Sequence, residues 1–366
     1  MTININGAGI SGLTAGLNLA TEGYDVNIYE KEDEVGGSMV ENAQMLPNWM
    51  SRNDIINYLE SFNVEIDPAE EVRQAEVFFG DKKILVRGED KPFGYTVLRG
   101  GENSLEKRLA NQFRDVGGTI RTGETCENPD IIATGSKKPH AIVYGEVFEG
   151  DFNPERVKAF FSSEITPKSY YYFYPHSEDR ASIVVTGVKK WGFKPKKAFE
   201  KLLESEKLVE KGIEVGDKID SFGAFANCFI PEKAEINGSL LVGEAAGFQD
   251  YLTGFGMKFA FESGYLSARS IIDDSDYEKL WRKKMYPDLK KAQYARDLYN
   301  ITGENGISKA FGKNEEQETT EKVIESDIQF FEDLWHSRFL KPGMKITGYL
   351  PENLRVFLFR KVVERL

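Results

Sequence analysis

The chain has 366 residues, enough for two or three domains. It contains 47 lysine and arginine residues and 59 aspartate and glutamate residues. The net charge of −12 argues against a nucleic-acid-binding protein, which would present basic surfaces to phosphate. A hydrophobic content of 40% indicates a globular protein, and no apolar run of roughly 18 residues predicts a membrane span. The N-terminus lacks the pattern of a signal peptide, so we expect a cytoplasmic protein.

The two cysteines and three histidines form no zinc-binding spacing, and two cysteines cannot make a disulfide framework. We therefore predict no metal site. A Cys–His nucleophile pair stays open, although neither Cys126 nor Cys228 lies in a glycine-rich turn.

The N-terminal residues have the order of a dinucleotide-binding unit: strand, glycine turn, helix, strand. Residues 2–6 alternate isoleucine with polar residues, GAGISG follows, and an apolar helix then precedes a second strand that ends at Glu30. In such a unit, Gly7 permits a tight turn, Gly9 lets the backbone approach a pyrophosphate, and Gly12 lets the helix pack closely on the strand. The helix N-terminus then offers amide N–H groups to phosphate, and the Glu30 carboxylate can accept hydrogen bonds from ribose. The alternative is a glycine-rich turn that only packs.

The run EKEDEVGG indicates which dinucleotide to expect. Its glycines, Gly36 and Gly37, follow Glu30 closely, and this resembles the extended signature of FAD-dependent enzymes of the glutathione-reductase-like fold. A simple NAD domain would more often continue to another crossover helix. We therefore predict that Glu30 binds the ribose of FAD.

The middle of the chain predicts further parts of a discontinuous FAD domain. Residues 54–62 indicate a short helix, and residues 71–97 contain strand-like segments. Residues 103–116 place apolar side chains four apart on one helical face, with Asn103 as the N-cap. A strand, PDIIATG, ends at Gly135 and is similar to a strand that passes beside the cofactor in many FAD domains.

A second glycine-rich segment lies at residues 236–271. SLLVG is a short apolar strand, and GEAAG leaves it through small residues that would not block a ligand. After a loop, LTGFG opens a long helix. Its N-terminus favours negative charge, which in a flavin site is that of the reduced ring or of the pyrophosphate. A purely structural glycine-rich turn is the alternative.

The segments GEAAG and LTGFGMKFAFESG resemble the GDAAG and PxTGxG region of the geranylgeranyl reductase family. Members of that family are FAD enzymes that saturate isoprenoid double bonds, including those of archaeal lipid precursors. Between the two flavin segments, SYYYFYP resembles the family's substrate-site motif YxWxFP. The resemblance sets Tyr170 at the first aromatic position, Tyr172 at the tryptophan position, and Tyr174 and Pro175 at the Phe-Pro. It covers residues 1–275 in the order of elements, with strong identity only in these segments.

The chain departs from the family pattern at several positions. Glu244 replaces the aspartate of GDAAG, and Tyr251 stands where the loop proline is usual. No cysteine follows Gly37, although many relatives carry one there facing the flavin. The glycine pair expected after the aromatic motif is reduced to Gly187. These differences bear on the substrate more than on the flavin.

We predict an α/β fold, α+β overall, with three parts. These are a discontinuous Rossmann-like FAD-binding domain (1–50, 96–150 and 236–275), a mixed-sheet substrate domain (51–95 and 151–235) and a helical C-terminal region (276–366). The resemblance implies that the catalytic-site residues are Tyr170, Tyr172, Tyr174 and Pro175. The predicted cofactor-binding residues are Gly7, Gly9, Ile10, Ser11, Gly12, Glu30, Lys31, Gly37, Ser38, Arg99, Gly135, Gly243, Glu244, Gly247, Thr253, Gly254, Phe255 and Gly256. For Arg99, which stands where related flavoproteins often place an arginine near FAD, a solvated loop arginine is the alternative.

The favoured function is saturation of carbon–carbon double bonds of an isoprenoid or prenyl-lipid substrate by hydride transfer from reduced FAD. The alternatives are an FAD-dependent monooxygenase or halogenase of the aromatic-hydroxylase type, and a flavin-binding protein without a catalytic role. No second complete GxGxxG unit is present. The electron donor therefore stays open between NAD(P)H and a ferredoxin-like electron-transfer protein.

Strand alternation places Tyr170, Tyr172 and Tyr174 on one face of a strand, with Tyr171 and Phe173 on the other. One face could line an isoprenoid tunnel; a half-buried aromatic strand is the alternative.

Charged groups outside the motifs carry weaker expectations. His176 could relay a proton or sit in a polar turn. The lysine-rich segment 188–201 could meet a substrate phosphate or an acidic electron carrier, or form a solvated helix face.

The C-terminal residues read as helical. Residues 276–301 and 319–340 indicate amphipathic helices, the first broken at Pro287. Residues 351–366 are basic and amphipathic, which fits packing over a cavity or a partner subunit, or peripheral contact with an anionic membrane. We favour packing; the sequence does not indicate an oligomeric state.

Overall fold

The computed structural model describes residues 1–80, 82–88, 90–135, 139–189, 192–311 and 322–327. The helices are α1 (Ile10–Thr21), α2 (Ile55–Glu60), α3 (Leu105–Asp115), α4 (Pro195–Glu204), α5 (Lys207–Glu210), α6 (Met257–Ile272), α7 (Tyr277–Lys284) and α8 (Tyr286–Phe311). The strands are β1 (Thr2–Asn6), β2 (Asp25–Glu30), β3 (Asn42–Pro47), β4 (Glu70–Val72), β5 (Gln74–Phe79), β6 (Lys82–Arg87), β7 (Gly94–Arg99), β8 (Thr119–Thr122), β9 (Ile131–Ile132), β10 (Ala141–Glu149), β11 (Arg156–Phe161), β12 (Tyr171–Pro175), β13 (Arg180–Val188), β14 (Lys218–Ala226), β15 (Glu235–Ile236), β16 (Ser239–Leu241) and β17 (Lys322–Asp327).

The chain forms two compact units, each assembled from separate segments. The first unit comprises Met1–Glu70, Tyr95–His140 and Phe225–Leu289; the second comprises Glu71–Gly94, Ala141–Ala224 and the chain from Lys290. The α/β fold is therefore divided discontinuously, as the sequence predicts, but the boundaries differ.

Two differences from the predicted boundaries have visible physical causes. Residues 51–70 lie in the first unit, where the Asn18 side chain of α1 donates a hydrogen bond of 2.8 Å to the carbonyl of Phe62. Residues 276–289 also belong to the first unit, where Trp281 is fully buried. The remainder of the predicted C-terminal region falls in the second unit and does not form a separate one.

The first unit contains a six-stranded sheet in the order β15-β16-β9-β1-β2-β8. The pairs β1–β2, β1–β9, β9–β16 and β2–β8 are parallel, and only β15 runs antiparallel to its neighbour. Ile3 and Ile5 of the central strand are fully buried, because their side chains alternate with polar residues along the strand. The strand β1, the helix α1 and the strand β2 thus form the predicted Rossmann-like crossover unit.

The second unit contains an eight-stranded mixed sheet in the order β14-β10-β13-β12-β11-β5-β6-β17. Strands β10, β13, β12 and β11 pair antiparallel, whereas β11 pairs parallel with β5. One face packs on α4 and α5 through a core cluster that includes Phe160, Tyr171, Phe173, Phe199 and Leu202. The mixed sheet expected for the substrate domain is therefore present.

Several local expectations are corrected by the structure. The N-cap of α3 is Ser104 rather than Asn103, and its hydroxyl accepts a hydrogen bond from Lys107 N. Within the predicted helix 319–340, residues 322–327 form β17, because their backbone pairs in parallel with β6. The rest of that segment and the basic end at 351–366 lie outside the described residues. Within the described part of the chain, no helix is both long and apolar enough to cross a membrane.

A buried ionic cluster joins three elements of the first unit. Lys258 Nζ of α6 lies 2.9 Å from Glu262 Oε1 and 3.3 Å from Asp288 Oδ2, and the Tyr58 hydroxyl of α2 also donates to Glu262. Lys258 is 5% exposed and Glu262 is 1% exposed. Burial alone would lower the pKa of Lys258, but the two carboxylates raise it overall. The lysine therefore stays charged and neutralises Glu262.

We predict that Lys258→Met lowers the free energy of unfolding by about 3–5 kcal/mol, because it leaves the Glu262 carboxylate buried without its cation. Urea unfolding of the apoprotein measures this change. The control is Lys279→Met, which removes an 84% exposed lysine paired with Asp276 and should leave the unfolding midpoint unchanged. Equal losses in the two variants would contradict this description of the cluster.

Candidate functional site

The first glycine segment forms a tight turn between β1 and α1. Gly7 has a φ of +104°, a conformation that side chains disfavour. A Cβ on Gly12 would lie 2.0 Å from the Gly7 carbonyl oxygen, so only glycine allows the helix to sit this close to the turn. A Cβ on Gly9 would meet nothing within 4 Å. The turn is closed on its packed side and open above Gly9, where a ligand could approach the backbone.

Glu30 lies at the end of β2, beside this turn. Its Oε2 accepts a hydrogen bond of 2.9 Å from Ala8 N, and its Oε1 accepts one of 3.1 Å from Glu32 N. A carboxylate oxygen has more than one lone pair, so both oxygens can accept a further donor. The carboxylate is thus oriented by the backbone and suited to bind hydroxyl groups.

The second glycine segment contacts the first directly. Gly243 has a φ of +57°, and a Cβ there would lie 2.7 Å from Ser11 Oγ. A Cβ on Gly264 of α6 would lie 2.4 Å from the Ser11 carbonyl oxygen. The Gly243 amide also donates a hydrogen bond of 2.8 Å to Ser263 Oγ. Two segments that are distant in sequence therefore meet at the start of α1.

Glu244 projects from the second segment with an unsatisfied oxygen. Its Oε1 is buried and makes no hydrogen bond to any part of the chain that the structure describes. A Cβ on Gly135 would lie 3.9 Å from Glu244 Oε2, so the two predicted site residues are neighbours. Burial raises the pKa of Glu244 to about 7, although a hydrogen bond from the Asn227 backbone lowers it. A buried carboxyl oxygen without a partner fits a site whose ligand supplies a hydroxyl donor.

The loop before α6 is organised by Asp250, which the sequence analysis did not single out. The Thr253 hydroxyl donates to Asp250 Oδ1 at 2.7 Å, and the Gly254 amide donates to the Asp250 carbonyl at 3.0 Å. The predicted site residue Phe255 packs its ring at 5.5 Å, edge to face, with Trp49. An aspartate shortly before a Thr-Gly turn is the pattern that could have indicated this residue.

Arg99 lies at the end of β7 and is 6% exposed. Its Nε donates a hydrogen bond of 2.6 Å to Glu106 Oε1, and its guanidinium also donates to Gln44. The alternative of a solvated loop arginine is therefore wrong. The guanidinium is held in the first unit by these two side chains.

The loop after β2 places the remaining predicted contacts at the surface. Lys31, Gly37 and Ser38 are exposed, and Lys31 Nζ pairs with Glu32 at 2.8 Å. A Cβ on Gly36 would lie 3.6 Å from the Gly100 carbonyl, so the glycine pair packs near the turn that follows β7. These residues could meet only an exposed part of a ligand.

The aromatic strand of the second unit alternates as predicted. Tyr171 and Phe173 are buried in the core cluster, and the Tyr171 ring stacks on Phe160 at 4.7 Å. Tyr170 and Tyr172 are half-buried on the other face, with their ring centroids 5.9 Å apart. Burial raises the pKa of Tyr172 above its ordinary value. Its hydroxyl therefore stays protonated and is a weak acid at neutral pH.

The same face continues onto neighbouring elements. Tyr170 lies 5.3 Å from the Phe161 ring of β11, and Phe161 contacts Tyr299 of α8 at 5.5 Å. The Tyr299 hydroxyl donates to the Ser169 carbonyl at 2.9 Å. Tyr299 belongs to no motif, so the sequence analysis could not place it beside this strand.

His176 is buried rather than set in a solvated turn. Its Nε2 lies 2.8 Å from Ser182 Oγ. Burial, together with the nearby Arg180 charge, lowers the pKa of His176 to about 4. The imidazole is therefore neutral at neutral pH and does not titrate in the range expected for a proton relay.

Sequence comparisons relate the chain to reductases. Residues 5–55 match the family model of an NAD(P)-binding Rossmann-like domain. The chain is 30% identical over 182 residues to digeranylgeranylglycerophospholipid reductase 2 of Methanothermobacter thermautotrophicus, covering 46% of this chain but only 45% of that protein. It is 24% identical over 353 residues to the digeranylgeranylglycerophospholipid reductase of Methanosarcina acetivorans, covering 80% of this chain and 83% of that protein.

Solved structures share the fold. A geranylgeranyl bacteriochlorophyll reductase-like protein from Thermoplasma acidophilum matches with a TM-score of 0.69 and 18% identity, covering 94% of this chain and 98% of that one. The flavin-dependent brominase Bmp2 matches with a TM-score of 0.61 and 14% identity, over the full length of both chains. The predicted flavoprotein fold and the resemblance to the geranylgeranyl reductase family are confirmed. So is the expected class, a flavin-dependent oxidoreductase similar to geranylgeranyl reductases.

We predict that Gly9→Val abolishes the yellow colour of the purified protein. Residue 9 has a φ of −84° and open space around its Cβ, so valine fits the apoprotein and would collide only with a bound pyrophosphate. FAD affinity should fall by roughly a hundredfold or more, as measured by fluorescence titration. Gly223→Val, at an open position in β14, is the control and should stay yellow. Normal flavin content in Gly9→Val would remove this turn from the site.

We also predict a pH-dependent stability of the apoprotein that originates at Glu244. Its pKa is about 7 when folded and near 4.5 when unfolded, so burial of the carboxylate opposes folding increasingly as the pH rises through this window. Glu244→Gln should therefore stabilise the apoprotein at pH 8 more than at pH 5.5, by about 1–2 kcal/mol. Urea unfolding at both pH values measures this. A constant difference between the two proteins would show that the carboxyl is not titrating there.

Proposed function

We propose that the chain is an FAD-dependent oxidoreductase that saturates carbon–carbon double bonds of an isoprenoid or prenyl-lipid substrate. The observation that carries the proposal is the contact of Ser11 with Gly243, which joins the Rossmann turn to the GEAAG segment beside an unsatisfied Glu244 oxygen. The reductases that the chain resembles, named for a prenyl phospholipid, support the substrate class.

The residues of the first unit fit FAD in three respects. The amides of Ile10, Ser11 and Gly12 begin α1 and have no partner within the helix, so they suit a pyrophosphate. The Glu30 carboxylate, held by two backbone amides, suits the ribose hydroxyls. The buried Glu244 Oε1 suits a hydroxyl of the ribityl chain. The donors and acceptors of the site thus match the polar groups of one dinucleotide.

Bound and reduced FAD supplies a hydride to one alkene carbon, and a proton must reach the neighbouring carbon. The contribution of the chain is to hold the alkene and exclude water. We assign this role to the face that carries Tyr170 and Tyr172, because its rings are half-buried and lie against Phe161. The raised pKa of Tyr172 disfavours its hydroxyl as the proton donor, and water can supply the proton instead.

The electrons come from NAD(P)H or from a ferredoxin-like carrier. Because the dinucleotide unit at the N-terminus is assigned to FAD, NAD(P)H would bind only transiently. The exposed lysines at the start of α4, Lys194, Lys196 and Lys197, offer a surface for an acidic carrier or a lipid phosphate. Peripheral contact with a membrane also fits a prenyl-lipid substrate.

A monooxygenase or halogenase is the second candidate, favoured by the structural likeness to the brominase. The two functions differ in their reaction with oxygen. The enzyme should be reduced anaerobically with dithionite, given digeranylgeranylglycerophospholipid, and assayed by mass spectrometry for a gain of two hydrogens per reduced bond. Saturated product supports the reductase. Substrate-stimulated reoxidation by oxygen with a hydroxylated or halogenated product would replace it with the second candidate.

We predict that Tyr172→Ala lowers kcat/KM for the prenyl substrate by about tenfold to a hundredfold, because it removes an aromatic wall of the substrate site. FAD content should not change. Tyr172→Phe is the matched control: it keeps the ring and loses only a hydroxyl that is a poor acid, so turnover should remain within about twofold of the original. Steady-state kinetics under anaerobic conditions measures both variants. Loss of activity in Tyr172→Phe would instead assign the proton to this hydroxyl.

A further inference from the structure

The loop between the two halves of the second glycine segment lacks a residue that similar reductases use. Where their pattern has a proline before Leu-Thr-Gly, this chain has Tyr251. Proline fixes φ and so restricts a loop before any ligand binds. A chain without it must restrict the loop in another way, or lose conformational entropy when it binds its cofactor.

The side chain of Asp250 supplies a set of hydrogen bonds to this loop. Its Oδ1 accepts from Leu252 N at 2.9 Å, from Thr253 N at 2.5 Å and from the Thr253 hydroxyl at 2.7 Å. Asp250 is fully buried. Hydrogen bonds to a charged acceptor are stronger than those between neutral groups, so three of them on one oxygen hold the turn firmly.

The backbone of Asp250 closes the same loop. Its amide donates to the Phe255 carbonyl at 3.0 Å, and its carbonyl accepts from Gly254 N at 3.0 Å. The amides of Thr253 and Gly254 are therefore used inside the loop. Amide donation to a cofactor from this segment falls to the first turn of α6, which starts at Met257 and has no side-chain cap.

We propose that Asp250 is a positioning residue that replaces the loop proline and presets the approach to α6 for the flavin. This rests on the proposed function, because it assumes that the loop borders FAD. Its distinct content is that a side-chain acceptor performs the restriction that proline performs in similar reductases. The two devices should therefore be interchangeable.

The experiment compares Asp250→Ala, Tyr251→Pro and the double variant. Asp250→Ala should weaken FAD binding by about tenfold to a hundredfold, since the loop must then be ordered by the cofactor. Tyr251→Pro should bind FAD within about threefold of the original protein. The double variant should recover FAD affinity to within about threefold of the original, together with its visible flavin spectrum. Fluorescence titration and absorption spectra of the reconstituted proteins measure these effects.

A matched control separates positioning from stability. Asp54 caps α2 in the same way, with its Oδ1 accepting from Ile56 N at 2.9 Å and from Asn57 N at 3.4 Å. Asp54→Ala should lower the melting temperature of the apoprotein without changing FAD affinity or the flavin spectrum. If Asp250→Ala does not fold, Tyr251→Pro and the double variant still decide the question, because only a proline that replaces Asp250 allows the double variant to fold and bind FAD.

Three results would overturn the inference: FAD affinity of Asp250→Ala within twofold of the original, impaired binding by Tyr251→Pro alone, or a double variant no better than Asp250→Ala. Each presupposes that the unaltered protein binds FAD. Failure of the unaltered protein to bind FAD would instead overturn the proposed function.

Discussion

The contact between Ser11 and the glycines of the second segment is the constraint on which the candidate site depends. Side chains at Gly243 and Gly264 would collide with the hydroxyl and the carbonyl of this one serine. Glycine at both positions lets α6 and the turn before it reach the start of α1. The pyrophosphate-type turn and the GEAAG segment thereby border the same space, which neither segment could define alone.

The site suits an anionic dinucleotide although the chain carries a net charge of −12. Its donors are backbone amides at helix N-termini, where partial positive charge is fixed by the fold and needs no buried cation. Arg99 is already engaged by Glu106 and Gln44. Burial raises the pKa of Glu244 to about 7, which lessens repulsion between this carboxyl and a phosphate-bearing ligand. Hydrogen-bonding geometry, more than net charge, therefore accounts for recognition.

Glycine spacing made the first unit predictable, because Gly7 and Gly12 occupy positions where backbone strain or contact forbids a side chain. Alternation likewise predicted the two faces around Tyr172. Features that depend on tertiary contacts were not predictable. The partners of Arg99, the hydrogen bonds of Asp250 and the pairing of residues 322–327 with β6 all join residues whose proximity leaves no periodic signal. The placement of residues 51–70 in the first unit has the same origin.

The most direct test of the central claim is a crystal structure of the protein grown with excess FAD. The account predicts one FAD per chain, with its phosphates at the amides of Ile10 and Ser11 and a ribityl hydroxyl at Glu244 Oε1. A nucleotide that touches only one of the two glycine segments, or crystals that bind no FAD at saturating concentration, would contradict it.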